Sequence, residues 1–275
     1  MTQPTTEPTT EPTGQRTETG GEILVTRDGP ALRVSFNRPA QHNALTWAMW
    51  DGLYEACETA DADPGVKLLV LSGEGGRAFV AGTDISQFAA FRTGDDGVAY
   101  EHRIQRIIDR LERVRVPTVA AVQGYCVGGG LIVAAACDLR IATTGSSFGA
   151  PIARTLGNCL SMNTYSLLVH HLGPARTLDM LLRARMFTAE EAAAAGFVAE
   201  VCPPEELADR LAETERRLLS HAPLSMWAAK EAVRRLRVAS LPDGDDLVFT
   251  AFGSEDFRAA VPAFLAKEKV DWRGV

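Results

Sequence analysis

The chain has 275 residues, of which 46% are apolar and 23% charged, enough for one globular core of ordinary composition with a small appended piece. Its net charge of -7 excludes a general nucleic-acid binder, which needs an excess of Lys and Arg, though local basic residues could still hold phosphates on a small ligand. Five cysteines form no CxxC pair, and five histidines show no metal-ligand spacing, so no metal site is expected and a reduced, cytoplasmic setting fits best.

The first 20 residues are rich in Thr, Pro, Glu and Gly, with one basic residue (Arg16) and no apolar run. They read as a disordered leader rather than a signal or transit peptide. The longest apolar stretch, residues 131–137, is far shorter than the ~20 residues a bilayer span needs. From residue 22, ILVTRDGPALRVSF reads as two strands turning at Asp28-Gly29. The polar loop NRPAQHNAL follows. Thr46 then caps a helix with Trp47, Trp50, Leu53, Tyr54 and Cys57 at helical spacing, stopped near Pro64.

KLLVLSG (67–73) is a continuous apolar run, as a buried parallel strand requires. A Gly-rich loop precedes an amphipathic helix expected over 102–115, with Ile104, Ile107, Ile108 and Leu111 inward. TVAAVQG is a second buried strand, YCVGGG a tight turn, LIVAAACD a helix and LRIAT a third strand. The alternation indicates an α/β fold with mainly parallel connections. Past residue 163 the pattern is almost all helical, apart from FVAEVC (197–202). A soft boundary near 203 separates a core over 21–202 from a helical region over 203–275, with helices expected at 205–219, 224–236, 246–252 and 254–267.

Two strand–loop–helix junctions carry glycines, Gly82-Thr83-Asp84 and Gly128-Gly129-Gly130. Each leaves backbone N–H groups unpaired at a helix N-terminus, where the dipole favours negative charge. Two such amides converging on one point make an oxyanion hole; a turn that only bends the chain would need the same glycines. Neither junction matches a nucleotide-binding loop.

FVAGTDI (79–85) and GYCVGGG (124–130) resemble the enoyl-CoA hydratase/isomerase (crotonase) family, as do NRPAQHNAL (37–45), ACDLRIAT (136–143) with FGAP (148–151), and SEDFRAAVPAFLAKEK (254–269). The likeness runs from about residue 22 to the end. It implies a spiral of ββα turns with a helical C-terminal region used in assembly as a homotrimer or homohexamer. It also implies an acyl-CoA thioester as substrate, with no separate cofactor. By motif position the two oxyanion amides belong to Thr83, in place of the usual alanine, and Gly129. The resemblance places Ala81, Asp84, Ile85 and Ser86 at the adenine pocket. Arg38, Lys267 and Lys269 are its candidates for the CoA phosphates.

The family's hydratases use two glutamates, and this sequence has neither. Ile132 stands two residues after the Gly triplet, and Ile152 and Ala153 follow the proline of FGAP. Isoleucine and alanine can neither activate water nor protonate a carbon. The segment ARTLGNCLSMN (153–163) falls where the family builds its acyl pocket, which makes Arg154 a candidate for a substrate carboxylate. Arg154 cannot serve as a base, since it stays protonated. Asp84 reads as a cap for the following helix, His102 as an exposed helix residue, and Cys126 as packing. Three functions stay open: a hydratase of unusual constitution, a decarboxylase or isomerase with a reshaped site, or a non-catalytic acyl-CoA binder.

Overall fold

The computed structural model describes residues 22–275 and the backbone of residues 16–19. Of the expected leader, residues 1–15 and 20 lie outside the described residues, whereas residues 16–19 form a strand. In chain order the first half comprises β1 (Arg16–Thr19), β2 (Ile23–Asp28), β3 (Ala31–Phe36), α1 (Trp47–Ala62), β4 (Leu68–Gly73), β5 (Ala78–Val80), α2 (Gly94–Glu112), β6 (Thr118–Val122), β7 (Tyr125–Val127) and α3 (Gly129–Ala136). Then come β8 (Leu139–Thr143), β9 (Ser147–Gly149), α4 (Ile152–Thr155), α5 (Met162–Leu182), β10 (Phe187–Thr188), α6 (Ala189–Ala194) and β11 (Glu200–Cys202). Four helices finish the chain: α7 (Leu207–Leu219), α8 (Pro223–Val238), α9 (Asp245–Gly253) and α10 (Glu255–Ala266).

The larger sheet has the order β1-β2-β3-β4-β6-β8-β11. β1, β2 and β3 pair antiparallel, and from β3 onward every pairing is parallel. β4 and β6 read as apolar runs because both faces are covered, and Leu68–Leu71 and Thr118–Val122 are all buried. A smaller sheet, β10-β9-β7-β5, is built from strands of two or three residues. It contains part of the YCVGGG segment expected as a turn. Strands this short carry too few residues for alternation to show.

α1 starts where the sequence placed it, with the Thr46 hydroxyl accepting the Met49 N–H at 3.3 Å. α2 starts eight residues earlier than the sequence pattern suggested, at Gly94 rather than 102. The Asp96 carboxylate accepts the N–H groups of Arg92 (2.8 Å) and Thr93 (2.9 Å), closing its first turn. Gly94 and Gly97, which look like helix breakers, are packing residues. A Cβ on Gly94 would collide with the Phe249 carbonyl, and one on Gly97 with the Phe252 side chain, so both glycines let α9 lie against α2. No helix among the described residues is long and apolar enough to cross a membrane.

Candidate active site

The loop after β3 is anchored by one buried side chain. Asn43 donates from Nδ2 to the carbonyls of Glu74 (3.0 Å) and Ala78 (2.8 Å), and its Oδ1 accepts the Arg38 N–H (2.9 Å). That fixes residues 42–45 alongside 81–84. Ala81 N–H donates to His42 O (3.0 Å), Leu45 N–H to Gly82 O (2.8 Å) and Asp84 N–H to Leu45 O (2.9 Å). Leu45 and Thr83 therefore form a parallel bridge. In that pattern Leu45 uses the groups flanking Thr83, so the N–H of Thr83 itself points away from the bridge.

The second junction is fixed from the smaller sheet. Gly128 N–H donates to Gly149 O at 2.9 Å, and Ile132 N–H closes the first turn of α3 on Gly128 O at 3.1 Å. Gly129 opens α3, so its N–H has no acceptor within the helix. Gly128 adopts φ 53°, ψ -116°, a conformation that needs glycine. A Cβ on Gly130 would strike the Val80 carbonyl, so α3 can start against β5 only with glycine there. A Cβ on Gly129 would lie 3.2 Å from Thr83 Oγ1, which puts the two junctions side by side.

Both junctions open on one cavity of about 470 Å³. Ala81, Thr83, Asp84, Ile85, Gly129, Ile132 and Ile152 all line it. So do Trp50, Phe88, Tyr100, Glu101 and Ile104 on one side and Leu156, Asn158, Leu160, Phe264 and Leu265 on others. Five residues singled out by sequence lie elsewhere. Ser86 is exposed and donates to Asp84 Oδ1 (2.7 Å). Arg154 is exposed and does not line the cavity. Lys267 and Lys269 are exposed at and beyond the end of α10, the helix whose Phe264 and Leu265 form part of the cavity wall. Arg38 is occupied by Glu22 (3.2 Å) and Asp84 (3.1 Å) and reaches the Ala44 carbonyl (2.7 Å).

Asp84 caps the short helical turn after it through the Ser86 N–H at 3.1 Å. Burial acts to raise its pKa, but the Ser86 hydroxyl and N–H and the Arg38 guanidinium together hold it below the ordinary carboxylate value. His102 lies outside the cavity, exposed and paired with Asp245 at 2.9 Å. Cys126 is fully buried. Cys159 has its thiol pushed up to about 12 by burial and by the nearby Glu101, and it is directed at the Leu247 carbonyl (3.5 Å).

Sequence reasoning missed two residues on α2. Tyr100 bonds through its hydroxyl to Thr83 Oγ1 at 2.9 Å, so the residue standing in for the usual alanine ties the first junction to α2. Glu101 is 5% exposed, lines the cavity and accepts the Ser161 N–H at Oε2 (3.1 Å). Burial pushes its carboxyl up to about 7, opposed only in part by the Ser161 N–H and hydroxyl, with no cation to offset it. The signal was present. Stepping back a heptad from Ile108 gives residue 101, and four residues back from Ile104 gives 100. Trp50 Nε1 and Asn158 Oδ1, on two other lining residues, are buried without a hydrogen-bond partner. Unpaired polar atoms of that kind are rare in interiors unless an ordered water or a ligand group meets them.

The fold is that of acyl-CoA-processing enzymes, and residues 28–275 match the enoyl-CoA hydratase/isomerase family. The chain belongs to that family. It is 32% identical over 249 residues to a probable enoyl-CoA hydratase of Mycobacterium tuberculosis (strain CDC 1551 / Oshkosh), covering 89% of this chain and 95% of the relative. It is 30% identical over 257 residues to the 2,3-dehydroadipyl-CoA hydratase of Escherichia coli (strain K12), covering 92% and 99%. Among solved structures, a methylmalonyl-CoA decarboxylase in complex with 2-nitronate-propionyl-CoA superposes with a TM-score of 0.84 at 25% identity, covering 92% of this chain and 99% of that one. An enoyl-CoA hydratase/carnithine racemase from Magnetospirillum magneticum superposes with a TM-score of 0.77 at 31% identity, covering 94% and 97%.

Proposed function

We propose that the protein binds an acyl-CoA thioester and stabilises its enolate, with the thioester oxygen held by the N–H groups of Thr83 and Gly129. The observation that carries this reading is the pair of N–H groups without helix or bridge acceptors on one largely apolar cavity. Each such donor is worth roughly 2.7–4 kcal/mol on a developing oxyanion, or about 100–1000-fold in rate. Ala81, Asp84 and Ile85 would then border the CoA moiety, while Ile132 and Ile152 border the acyl group. Lys267 or Lys269, exposed at and beyond the end of α10, is the candidate to meet the CoA phosphates. Arg38 acts by orienting Asp84, since its guanidinium is already engaged.

The relatives include hydratases and a decarboxylase, and adding water to a conjugated thioester or losing CO₂ from a 2-carboxy thioester each puts negative charge on a thioester oxygen that two N–H donors would stabilise. The apolar Ile132 and Ile152 favour a reaction other than the family's two-glutamate hydration. A cytoplasmic trimer or hexamer is part of the proposal, assembled through the helical region 203–275. Exposed Leu224, Val233 and Leu236 on α8 support that role.

The test is difference infrared spectroscopy of a thioester labelled with carbon-13 at its carbonyl, with affinity measured in parallel by calorimetry. Two donors on the oxygen weaken the C=O bond, so the stretch should move to lower wavenumber on binding. A bound ester whose carbonyl stretch stays at its position in water would remove the oxyanion hole from the account.

A further inference from the structure

Glu101 occupies a place that structure alone does not require to be ionisable. Its visible task is to accept the Ser161 N–H at the start of α5. A neutral amide oxygen would do that as well. A carboxylate offers about four lone-pair directions, and Ser161 supplies at most two donors. The group lines the same cavity as Thr83 and Gly129, reached from a third element, α2. We propose that Glu101 moves the proton at the carbon next to the thioester, acting from α2 as both base and acid. This rests on the acyl-CoA reading above.

The alternatives are weaker in chemistry. Asp84 is held ionised by Ser86 and Arg38, which makes it a poor base. Tyr100 is pushed up by burial and by Glu101, and its hydroxyl is spent on Thr83. Cys159 and Tyr165 are also pushed up by burial, and neither lines the cavity. His42 lines the cavity from the loop side, where its ring packs against Tyr125. The titratable groups that face Glu101 are therefore Tyr100 on its own helix and Cys159 and Tyr165 across from it, with Asp84 and His42 on the remaining cavity wall. Burial brings the carboxyl to about 7, where a group can both take and return a proton at neutral pH.

The step balances without a co-reactant. The α C–H bond breaks, and its pair forms the carbon–carbon double bond of the enolate. The carbonyl π pair moves to the oxygen held by the two amides. The proton forms an O–H bond on Glu101. Return of the proton to the α-carbon gives exchange. In a 3-enoyl thioester, return to the γ-carbon moves the double bond into conjugation. One carboxyl suffices for either, so the absence of the two usual glutamates is no obstacle to this chemistry.

The experiment incubates the purified full chain with butyryl-CoA and 3-hexenoyl-CoA in heavy water, reading deuterium uptake and isomerisation by mass spectrometry. It compares the wild type with Glu101→Gln and Glu101→Asp, with melting temperature and affinity as controls. Glutamine keeps the Ser161 bond, so the variant should fold and bind while exchange falls by about 100–10,000-fold. Aspartate should restore part of the rate. The wild-type rate should rise with pH through one ionisation near 7. A folded, binding Glu101→Gln variant that exchanges at the wild-type rate overturns the role of Glu101 and leaves the thioester reading standing. So does a wild-type protein that binds and polarises the ester without exchange, or one whose exchange rate is flat between about pH 5.5 and 8.5. A wild-type protein that neither binds nor polarises any ester overturns the reading beneath as well.

Discussion

Helix α2 carries one buried and one half-buried glutamate on nearly the same face, and they have opposite surroundings. Glu101 and Glu112 are three turns apart, about 16 Å along the axis and about 20° apart around it. Glu112, whose side chain is 8% exposed, is held by one nitrogen of Arg237, Nη2, which donates to its two oxygens at 2.5 and 2.7 Å. Arg237 also reaches Asn163 Oδ1 at 2.7 Å, which ties α8 to α2 and α5. Burial raises the Glu112 pKa and the Arg237 charge pulls it back. Glu101 is buried more deeply and has no cation. One carboxylate is locked to another helix, and the other is left at the wall of a cavity. Residue type and helix are matched and both side chains are largely removed from solvent, so the counter-charge is the main difference between the structural glutamate and the chemical one.

The largest stability effect should come from breaking the locked pair. Arg237→Met leaves Glu112 buried without its cation, which should cost about 3–5 kcal/mol, measured by urea denaturation at pH 7. Adding Glu112→Gln should recover part of that loss, because the orphaned charge is then gone. A single variant within about 1 kcal/mol of wild type would mean that the pair contributes little and that the contrast with Glu101 is empty.

Removing the charge at the unpaired site should act in the other direction. Below the unfolded pKa of 4.5 both states of Glu101 are protonated, and the folded protein loses nothing. As pH rises from 4.5 to about 7 the unfolded carboxyl ionises first, so stability falls across that window and the penalty is constant above it. Glu101→Gln should therefore be more stable than wild type at pH 8, by roughly 3 kcal/mol, with the difference vanishing near pH 4.5. Parallel denaturation curves at the two pH values decide it. A gap that is the same at both would show that the carboxyl is not held above its ordinary value.

The larger sheet was legible because its strands are buried on both faces and read as apolar runs, as in residues 67–73 and 118–122. α1 was legible because Thr46 caps it locally. The smaller sheet was not, since its strands are too short to show a period. The start of α2 was hidden by Gly94 and Gly97, whose reason lies in α9, about 150 residues further on. That single misplacement left Tyr100 and Glu101 off the helix and out of view. The two glycine junctions announced themselves by residue type, and six of the residues proposed from them line one cavity, as does Ile152 after FGAP. Arg154 did not, because the sequence shows that a loop is polar but not which side of it faces the cavity.

The smallest expected effect tests whether the contrast on α2 concerns charge or only polarity. Tyr100 is buried, polar and adjacent to Glu101, yet its hydroxyl has a partner in Thr83 Oγ1 at 2.9 Å. Burial keeps it neutral well beyond the ordinary range. Tyr100→Phe removes one neutral hydrogen bond and should cost about 1 kcal/mol. Because Tyr100 is neutral in both folded and unfolded states up to about pH 9, the cost should be the same at pH 5 and pH 8. Denaturation curves at those two values provide the measurement. A pH-independent loss at position 100, beside a pH-dependent gain at 101, would show that α2 presents two kinds of polar group to one cavity. The neutral hydroxyl holds the Thr83 junction in place, and the carboxyl without a counter-charge keeps its proton exchangeable. A loss at position 100 that changed with pH would instead mean that the Tyr100 hydroxyl sets the ionisation of its neighbour, and Glu101 could no longer be treated as an independent group.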